Sequence, residues 1–127
     1  MRFDPTRVLK TRTGETMMVE DKPVTLGWLA IFALDNINLD KADGKEMRRR
    51  FRIATEIADA VGRGTVTDLK SDEVELVEEL VLTAAKRLNH GALVYGQFDA
   101  MLAEMRETGK ALNDGKGKRN GEAAVEA

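Results

Sequence analysis

Cysteine is absent from this chain of 127 residues, and histidine, tryptophan and tyrosine occur once each. Without cysteine there is no disulfide, no thiol nucleophile, no iron–sulfur cluster and no zinc site built on thiolates. Serine also occurs once, at Ser71, so a serine nucleophile would need that residue to meet His90. Because Ser71 is placed to cap a helix, we predict a non-enzymatic protein with no metal, no cofactor and no small-molecule substrate.

A charge excess of either sign is also lacking. Lys and Arg number 20 and Asp and Glu number 22, so the net charge is -2. The whole chain therefore has no electrostatic preference for nucleic acid or for an anionic membrane. Its hydrophobic fraction of 43% and charged fraction of 33% are those of a folded domain.

Long hydrophobic runs are missing too. The longest, Leu26 to Leu34, is about half of the roughly 20 residues that a spanning helix needs. Asp35 and Asp40 follow it closely. The first residues, "MRFDPTRVLKTRTG", are charged and contain no apolar signal region, so we predict neither a signal peptide nor a membrane segment.

Periodicity and turn residues predict an α+β fold, in which a small N-terminal β-hairpin packs with three to four α-helices. The hairpin covers residues 7–20 and turns at Thr13-Gly14, where glycine adopts positive φ easily. Pro23 is expected to end strand structure. Residues 65–69 are either an extended connector or a short strand that would give the hairpin a third member.

The predicted helices are recognised by their capping residues and by apolar side chains at helical spacing. They span about residues 26–37, 44–62, 71–90 and 92–108. Their predicted caps are Thr25, Asp43 and Ser71 at the amino ends and Gly62, Gly64 and Gly91 at the carboxyl ends. The predicted buried stripe of the second helix is Met47, Phe51, Ala54, Ala58 and Val61, with Ile53 and Ile57 beside it. The polar composition from residue 109 predicts one domain over 1–108 and a disordered tail over 109–127.

The first predicted helix is apolar on almost every side. Such a helix is usually buried on more than one side. It is therefore either the central helix of the fold or a helix whose outer side meets a partner. In the second case Trp28, Ile31 and Phe32 are the candidate partner-binding residues.

A basic run, "KEMRRRFR" at residues 45–52, opens the second helix. Its arginines have three possible roles. They pair internally, either Arg52 with Glu56 or the run with the glutamates of the third helix, which are otherwise expected to be solvated. They contact a protein partner through Arg48, Arg49 and Arg52. Or, as the alternative function, Arg48, Arg49, Arg50 and Arg52 bind nucleic acid phosphates in a regulator.

The fourth predicted helix contains "LVYGQF". A glycine inside a helix costs about 1 kcal/mol relative to alanine. Gly96 therefore predicts a close approach by a neighbouring helix or a partner, and Gln97 is placed to form a hydrogen bond across that contact. Both join the candidate partner-binding residues.

Short motifs along residues 6–104 resemble small proteins encoded by tailed bacteriophages and prophages, which have an LKT..G hairpin, an LTLG helix and an LVxGQ ending. The resemblance implies phage context without an assigned activity, and hence a setting in the bacterial cytoplasm or the virion. It implies a protein–protein interaction protein, in virion or tail assembly or on a host protein, with homo-oligomers as one possibility. The matching residues are Leu9, Lys10, Thr11, Gly14, Thr25, Leu26, Gly27, Ala33, Leu34, Leu93, Val94, Gly96 and Gln97.

Overall fold

The computed structural model describes residues 1–119, with side chains described through residue 108. Within this range the chain has the predicted α+β fold, with four α-helices and two small antiparallel sheets. The helices are α1 (Leu26–Asn36), α2 (Gly44–Arg63), α3 (Ser71–Ala85) and α4 (Gly91–Arg119), with a 3-10 turn (Leu39–Lys41) between α1 and α2. The strands are β1 (Arg2–Phe3), β2 (Met18–Val19), β3 (Lys22–Pro23) and β4 (Thr67–Asp68).

The N-terminal hairpin is present, but its longest pairing lies further along the chain than predicted. Lys10 bridges to Thr16 across the predicted turn, where Gly14 has a φ of 90°. β2 pairs with β3 across a second turn, Glu20–Asp21, whose φ angles are 51° and 65°. A two-residue turn with positive φ at both central residues has a backbone twist that matches the twist of the strands it joins. This turn was missed because glutamate seldom adopts that conformation.

Pro23 is the last residue of β3 and pairs with Met18, so the strand ends at this proline as predicted. Proline lacks only the N–H donor, and an edge strand tolerates it where the ladder does not use that nitrogen. The next residue, Val24, joins a cycle of backbone hydrogen bonds with Leu9 and Met17, at 2.8 to 2.9 Å. Leu9 and Val24 are buried, so this cycle anchors the hairpin to the core.

β4 is a strand, but it does not join the hairpin. It pairs antiparallel with β1, with Phe3 opposite Thr67. The amino-terminal nitrogen of Met1 donates to the carbonyl oxygen of Leu69 at 2.8 Å. The predicted third hairpin strand is wrong because nothing within residues 65–69 specifies which distant edge they pair with.

α1 lies at the centre of the fold, against α2 on one side and α3 on the other. It begins as predicted, since the Thr25 hydroxyl accepts a hydrogen bond from the Trp28 nitrogen at 3.0 Å. Its buried residues are Leu26, Gly27, Leu29, Ala30, Ala33 and Leu34. This is the central-helix arrangement that the apolar composition of α1 suggested.

α2 has the predicted ends but turns a different side to the core. An Asp43 carboxylate oxygen accepts from the Glu46 nitrogen at 2.8 Å, and Gly64 ends the helix with a φ of 65°. The buried residues are Arg50, Ile53, Ala54, Ile57 and Ala60. The predicted stripe is therefore wrong except at Ala54, whereas the two isoleucines predicted beside it are buried. With 3.6 residues per turn, an inward arc through positions 53, 57 and 60 leaves positions 47, 51 and 58 on another side.

The predicted cap of α3 is also wrong. Lys70 occupies the N-cap position and Ser71 is the first helical residue. Instead of a serine hydroxyl, the Glu73 carboxylate closes this end by accepting from the Lys70 nitrogen at 2.8 Å. This is the reciprocal half of a capping box, in which the third helical residue reaches back to the cap.

The turn between α3 and α4 uses His90, rather than the predicted glycine, as its positive-φ residue, with a φ of 62°. Gly91 instead begins α4, where a Cβ atom would overlap the carbonyl oxygen of Ala85. Glycine is therefore required at this position by the close approach of α3.

α4 packs against α3 and β1. Its buried side chains are Val94, Phe98, Leu102 and Met105. The backbone is helical through Arg119, past the expected helix end at Thr108. Residues 120–127 of the predicted tail lie outside the described residues. Across residues 1–119, no helix combines the length and the apolar content that crossing a membrane requires.

Candidate interaction surface

The outward side of α1 carries the predicted partner-binding residues. Trp28 is 40% exposed, whereas Ile31 and Phe32 are half-buried against the core. The rings of Trp28 and Phe32 stack, with centroids 5.4 Å apart and planes 11° from parallel. The stack holds the indole in one orientation, which lowers the entropy that a partner would lose by contacting it.

α2 contributes the most exposed large apolar side chain among the described residues. Phe51 is 72% exposed, and Met47, one helical turn before it, is 43% exposed. Both were predicted to be core residues. They occupy a side of α2 away from the buried Ile53 and Ile57, so the core does not use them.

These side chains lie on two helices that pack against each other. The two helices run antiparallel: Gly27 meets Val61 at one end, and Arg50 reaches the Ile37 carbonyl at the other. A Cβ at Gly27 would lie only 2.8 Å from Val61 Cγ2, so glycine allows this approach. We define the apolar face as the exposed apolar residues along this helix pair, which are Trp28, Leu39, Met47, Phe51 and Val61.

Arg50 is a structural residue. Its side chain is buried, its guanidinium donates to the Ile37 carbonyl at the end of α1, and its Nε donates to Glu46 at 3.0 Å. A cation at this position stabilises the negative carboxyl end of a helix. Arg50 is therefore not available to a nucleic acid in this fold.

Arg49 and Arg52 pair with acids at the start of α3. Arg49 donates to an Asp72 carboxylate oxygen at 3.0 Å, and Arg52 lies 3.5 Å from a carboxylate oxygen of the buried Glu73. These pairs join α2 to the amino end of α3. Internal pairing was one of the three interpretations of the basic run, and of its two forms Arg52 uses a glutamate of the third helix, Glu73, rather than Glu56.

Arg48 has no ion pair among residues 1–108, and neither has Lys45. Both are exposed. Together with Arg49, Arg52 and the nearby acids they line an open concave surface between α2 and the start of α3. Its unpaired positive charge borders the apolar face near Met47.

The glutamates of α3 divide into engaged and exposed residues. Glu78 accepts from Arg106 at 3.0 Å and from the Tyr95 hydroxyl at 3.5 Å. Burial and the neighbouring Glu78 carboxylate raise the pKa of the Tyr95 phenol. Glu75 and Glu79 are exposed and have no ion pair within the described side chains. Among the side chains of residues 1–108, no three His, Asp or Glu residues converge as metal ligands would.

His90 lies on the rim of an open groove between the hairpin and the α3–α4 turn. The groove is lined by Thr11, Arg12, Thr13, Met17, Asn89, Leu93 and Val94 in addition to His90. No acid lines it, so this groove offers His90 no carboxylate to orient or activate its imidazole.

Gly96 and Gln97 lie on α4, apart from the apolar face. Nothing approaches within 4 Å of where a Gly96 Cβ would be, so the predicted contact with a neighbouring helix is wrong. The Gln97 amide holds both backbone groups of Lys10, accepting from its nitrogen at 2.7 Å and donating to its oxygen at 2.8 Å. Gln97 does cross a contact as predicted, but the contact joins α4 to the hairpin.

Comparison with protein-family models, with curated proteins and with solved structures found no match to this chain.

Proposed function

We propose that this chain is a non-enzymatic protein–protein interaction protein of the tailed-phage or prophage type. It acts in virion or tail assembly or on a host protein, and its apolar face is the binding surface. The observation that carries this proposal is the exposure of Phe51, at 72% of its surface, together with the exposure of Met47 one helical turn before it and of Trp28 on α1. Aromatic and methionine side chains are enriched where proteins bind one another.

The chemistry of the side chains supports a binding role over catalysis. The histidine faces no acid in its groove, and the one serine begins a helix. Among residues 1–108 the buried polar side chains, Arg50 and Glu73, both hold helix ends. The polar groups buried in the core are thus used for folding.

Phage context is proposed from the sequence resemblance alone. Several matching positions have structural roles: Thr25 caps α1, Gly27 allows α2 to approach, and Gln97 holds the hairpin on α4. Proteins that share these residues would share this packing. The proposed setting is therefore the bacterial cytoplasm during infection or lysogeny, or the virion itself.

The test is affinity capture from phage-infected or lysogenic cells with tagged wild-type chain and two exposed-site variants. Phe51→Ser alters the apolar face, and Glu107→Arg is the matched control on α4. We expect one protein to be recovered with the wild type and the control and lost with Phe51→Ser. Recovery that is equal with all three chains would refute the apolar face as the binding surface.

The alternative, a nucleic-acid-binding regulator, loses support because three of its four arginines are engaged within the fold. Arg48 and Lys45 alone would neutralise few phosphates, and affinity rests on that number. Fluorescence anisotropy with labelled duplex DNA and single-stranded RNA at low salt tests this alternative. Salt-sensitive binding that is lost in Arg48→Ala would favour the regulator over our proposal.

A further inference from the structure

We propose that the groove between the N-terminal hairpin and the α3–α4 turn binds an acidic peptide segment of another protein. In that segment one large apolar side chain lies next to aspartate or glutamate. We call this groove the His90 groove, after the histidine on its rim. None of its lining residues belongs to the apolar face, so it is a second binding surface, beyond the proposed function.

The apolar part of the lining comes from both sides of the His90 groove. Met17 belongs to the hairpin, whereas Leu93 and Val94 belong to the first turn of α4. Met17 and Leu93 are only half-buried, so a ligand in the groove contacts apolar surface. The groove measures about 350 Å³, at the lower end of the range for ligand-binding clefts. A volume of this size suits one large apolar side chain rather than a whole domain.

The polar part of the lining suits a peptide. The exposed Arg12 guanidinium has no ion pair among residues 1–108, and a guanidinium binds a carboxylate through two parallel hydrogen bonds. The exposed Asn89 amide has both a donor and an acceptor, which match those of a peptide backbone. Gln97 already uses its amide in this way on the backbone of Lys10.

The two parts of the chain that form the His90 groove are rich in positive charge. Residues 5–14 and residues 80–98 contain no acid, and Gln97 joins these two stretches by holding Lys10. They contain five lysine and arginine residues, of which Arg7 alone has an ion pair within the described side chains. The four others are exposed, and they are Lys10, Arg12, Lys86 and Arg87.

Glu15 is the acid nearest to Arg12 along the chain. Its carboxylate accepts a hydrogen bond from the Thr13 hydroxyl at 3.5 Å, and it is not part of the groove lining. It forms no ion pair with Arg12 in the part of the chain whose side chains are described. The groove therefore has a local excess of positive charge in a chain whose net charge is -2.

Charge complementarity selects an acidic partner, because opposite charges favour association and like charges oppose it. The apolar lining adds the requirement for an apolar side chain beside the acids. Single-stranded nucleic acid, the other polyanion, is disfavoured because its bases stack on aromatic side chains. Apart from the His90 imidazole, no aromatic ring lines the groove.

Selection from a displayed library of random peptides on the immobilised full chain tests the proposal. We expect the recovered peptides to share a large apolar residue with aspartate or glutamate within two positions of it. Recovery of peptides without enrichment of acids, or recovery of none, would overturn the inference.

Fluorescence anisotropy with a labelled recovered peptide locates its binding site. Arg12→Glu should weaken the affinity by about tenfold or more, because it replaces a charged hydrogen bond with a repulsion. Serine in place of the apolar residue of the peptide should weaken the affinity to a similar extent. Arg63→Glu, the matched reversal of an exposed arginine at the end of α2, should bind like the wild type. Far-UV circular dichroism should be unchanged in both protein variants.

A charge exchange tests the contact with Arg12 directly. A peptide with lysine in place of its acids should bind Arg12→Glu more tightly than it binds the wild type. Equal affinity of the original peptide for the wild type and for Arg12→Glu would contradict the groove as its site. Labelled single-stranded RNA that binds more tightly than the peptide, and is lost in Arg12→Glu, would replace the peptide with nucleic acid.

Failure of this inference is distinguishable from failure of the proposed function. If Phe51→Ser abolishes peptide binding while Arg12→Glu does not, the peptide binds the apolar face and the His90 groove is not the site. If Arg12→Glu abolishes peptide binding while capture from cells is insensitive to Phe51→Ser, the groove stands as a binding surface and the apolar face fails.

Discussion

Replacing Arg50 should destabilise the fold far more than replacing Arg48, two residues before it in the same basic run. Arg50 is 6% exposed and joins the end of α1 to Glu46, whereas Arg48 is exposed and has no ion pair among residues 1–108. From the sequence the two were equivalent candidates for nucleic acid contact. The comparison therefore tests whether the basic run serves the fold or a ligand.

The magnitude follows from the groups that Arg50→Ala leaves behind. The Ile37 carbonyl loses a charged donor in a buried site, and a hydrogen bond to a charged group contributes about 1.5–3 kcal/mol. The cation at the end of α1 adds up to about 2 kcal/mol in a partly buried site. Glu46 is only half-buried and returns to solvent, so it adds little. We expect a loss of about 2–4 kcal/mol in the free energy of unfolding.

Urea unfolding, followed by far-UV circular dichroism and by the fluorescence of Trp28, measures this loss. Arg50→Ala should lower the midpoint with an unchanged slope, and Arg48→Ala should change the free energy by about 0.5 kcal/mol or less. Arg50→Lys should fall between wild type and Arg50→Ala, since it keeps the charge and loses the forked donor geometry. Equal midpoints for the two alanine variants would refute the structural role of Arg50.

Two further predictions concern α4. Gly96→Ala should stabilise the fold by about 1 kcal/mol, because Gly96 faces open space within a helix. Gly91→Ala should destabilise the fold by about 1–3 kcal/mol, because a Cβ atom there overlaps the backbone of Ala85. Melting temperatures that shift in the same direction for both variants would contradict this. The Tyr95 phenol, titrated by its ultraviolet absorbance, should ionise above the ordinary pKa of about 10, and Glu78→Gln should lower that midpoint. Because the folded state holds the proton more tightly, this contribution to stability is complete below about pH 10 and is lost as pH rises through the raised pKa. An ordinary midpoint in the wild type would refute the raised pKa.

The candidate surface was predictable in part. The apolar composition of α1 left two alternatives, a central helix or a helix whose outer side meets a partner. α1 is central in the fold, and its Trp28 is 40% exposed. The acids of the third helix indicated internal pairing as one of three alternatives, and it occurs between Arg52 and Glu73 and between Arg49 and Asp72. Phe51 was assigned to the core because helical spacing shows that apolar residues share a side but does not show which side faces inward.

Local signals in the sequence determined the helix positions, the caps at Thr25, Asp43 and Gly64, and the α+β class. Each of these depends on residues within about one turn of one another, so neighbouring sequence specifies it. Tertiary structure alone decided that β4 pairs with β1, that Arg50 is buried while Arg48 is not, and that α2 faces inward through its isoleucines. These outcomes depend on surfaces contributed by distant parts of the chain, because burial and pairing minimise the free energy of the whole molecule rather than that of one segment.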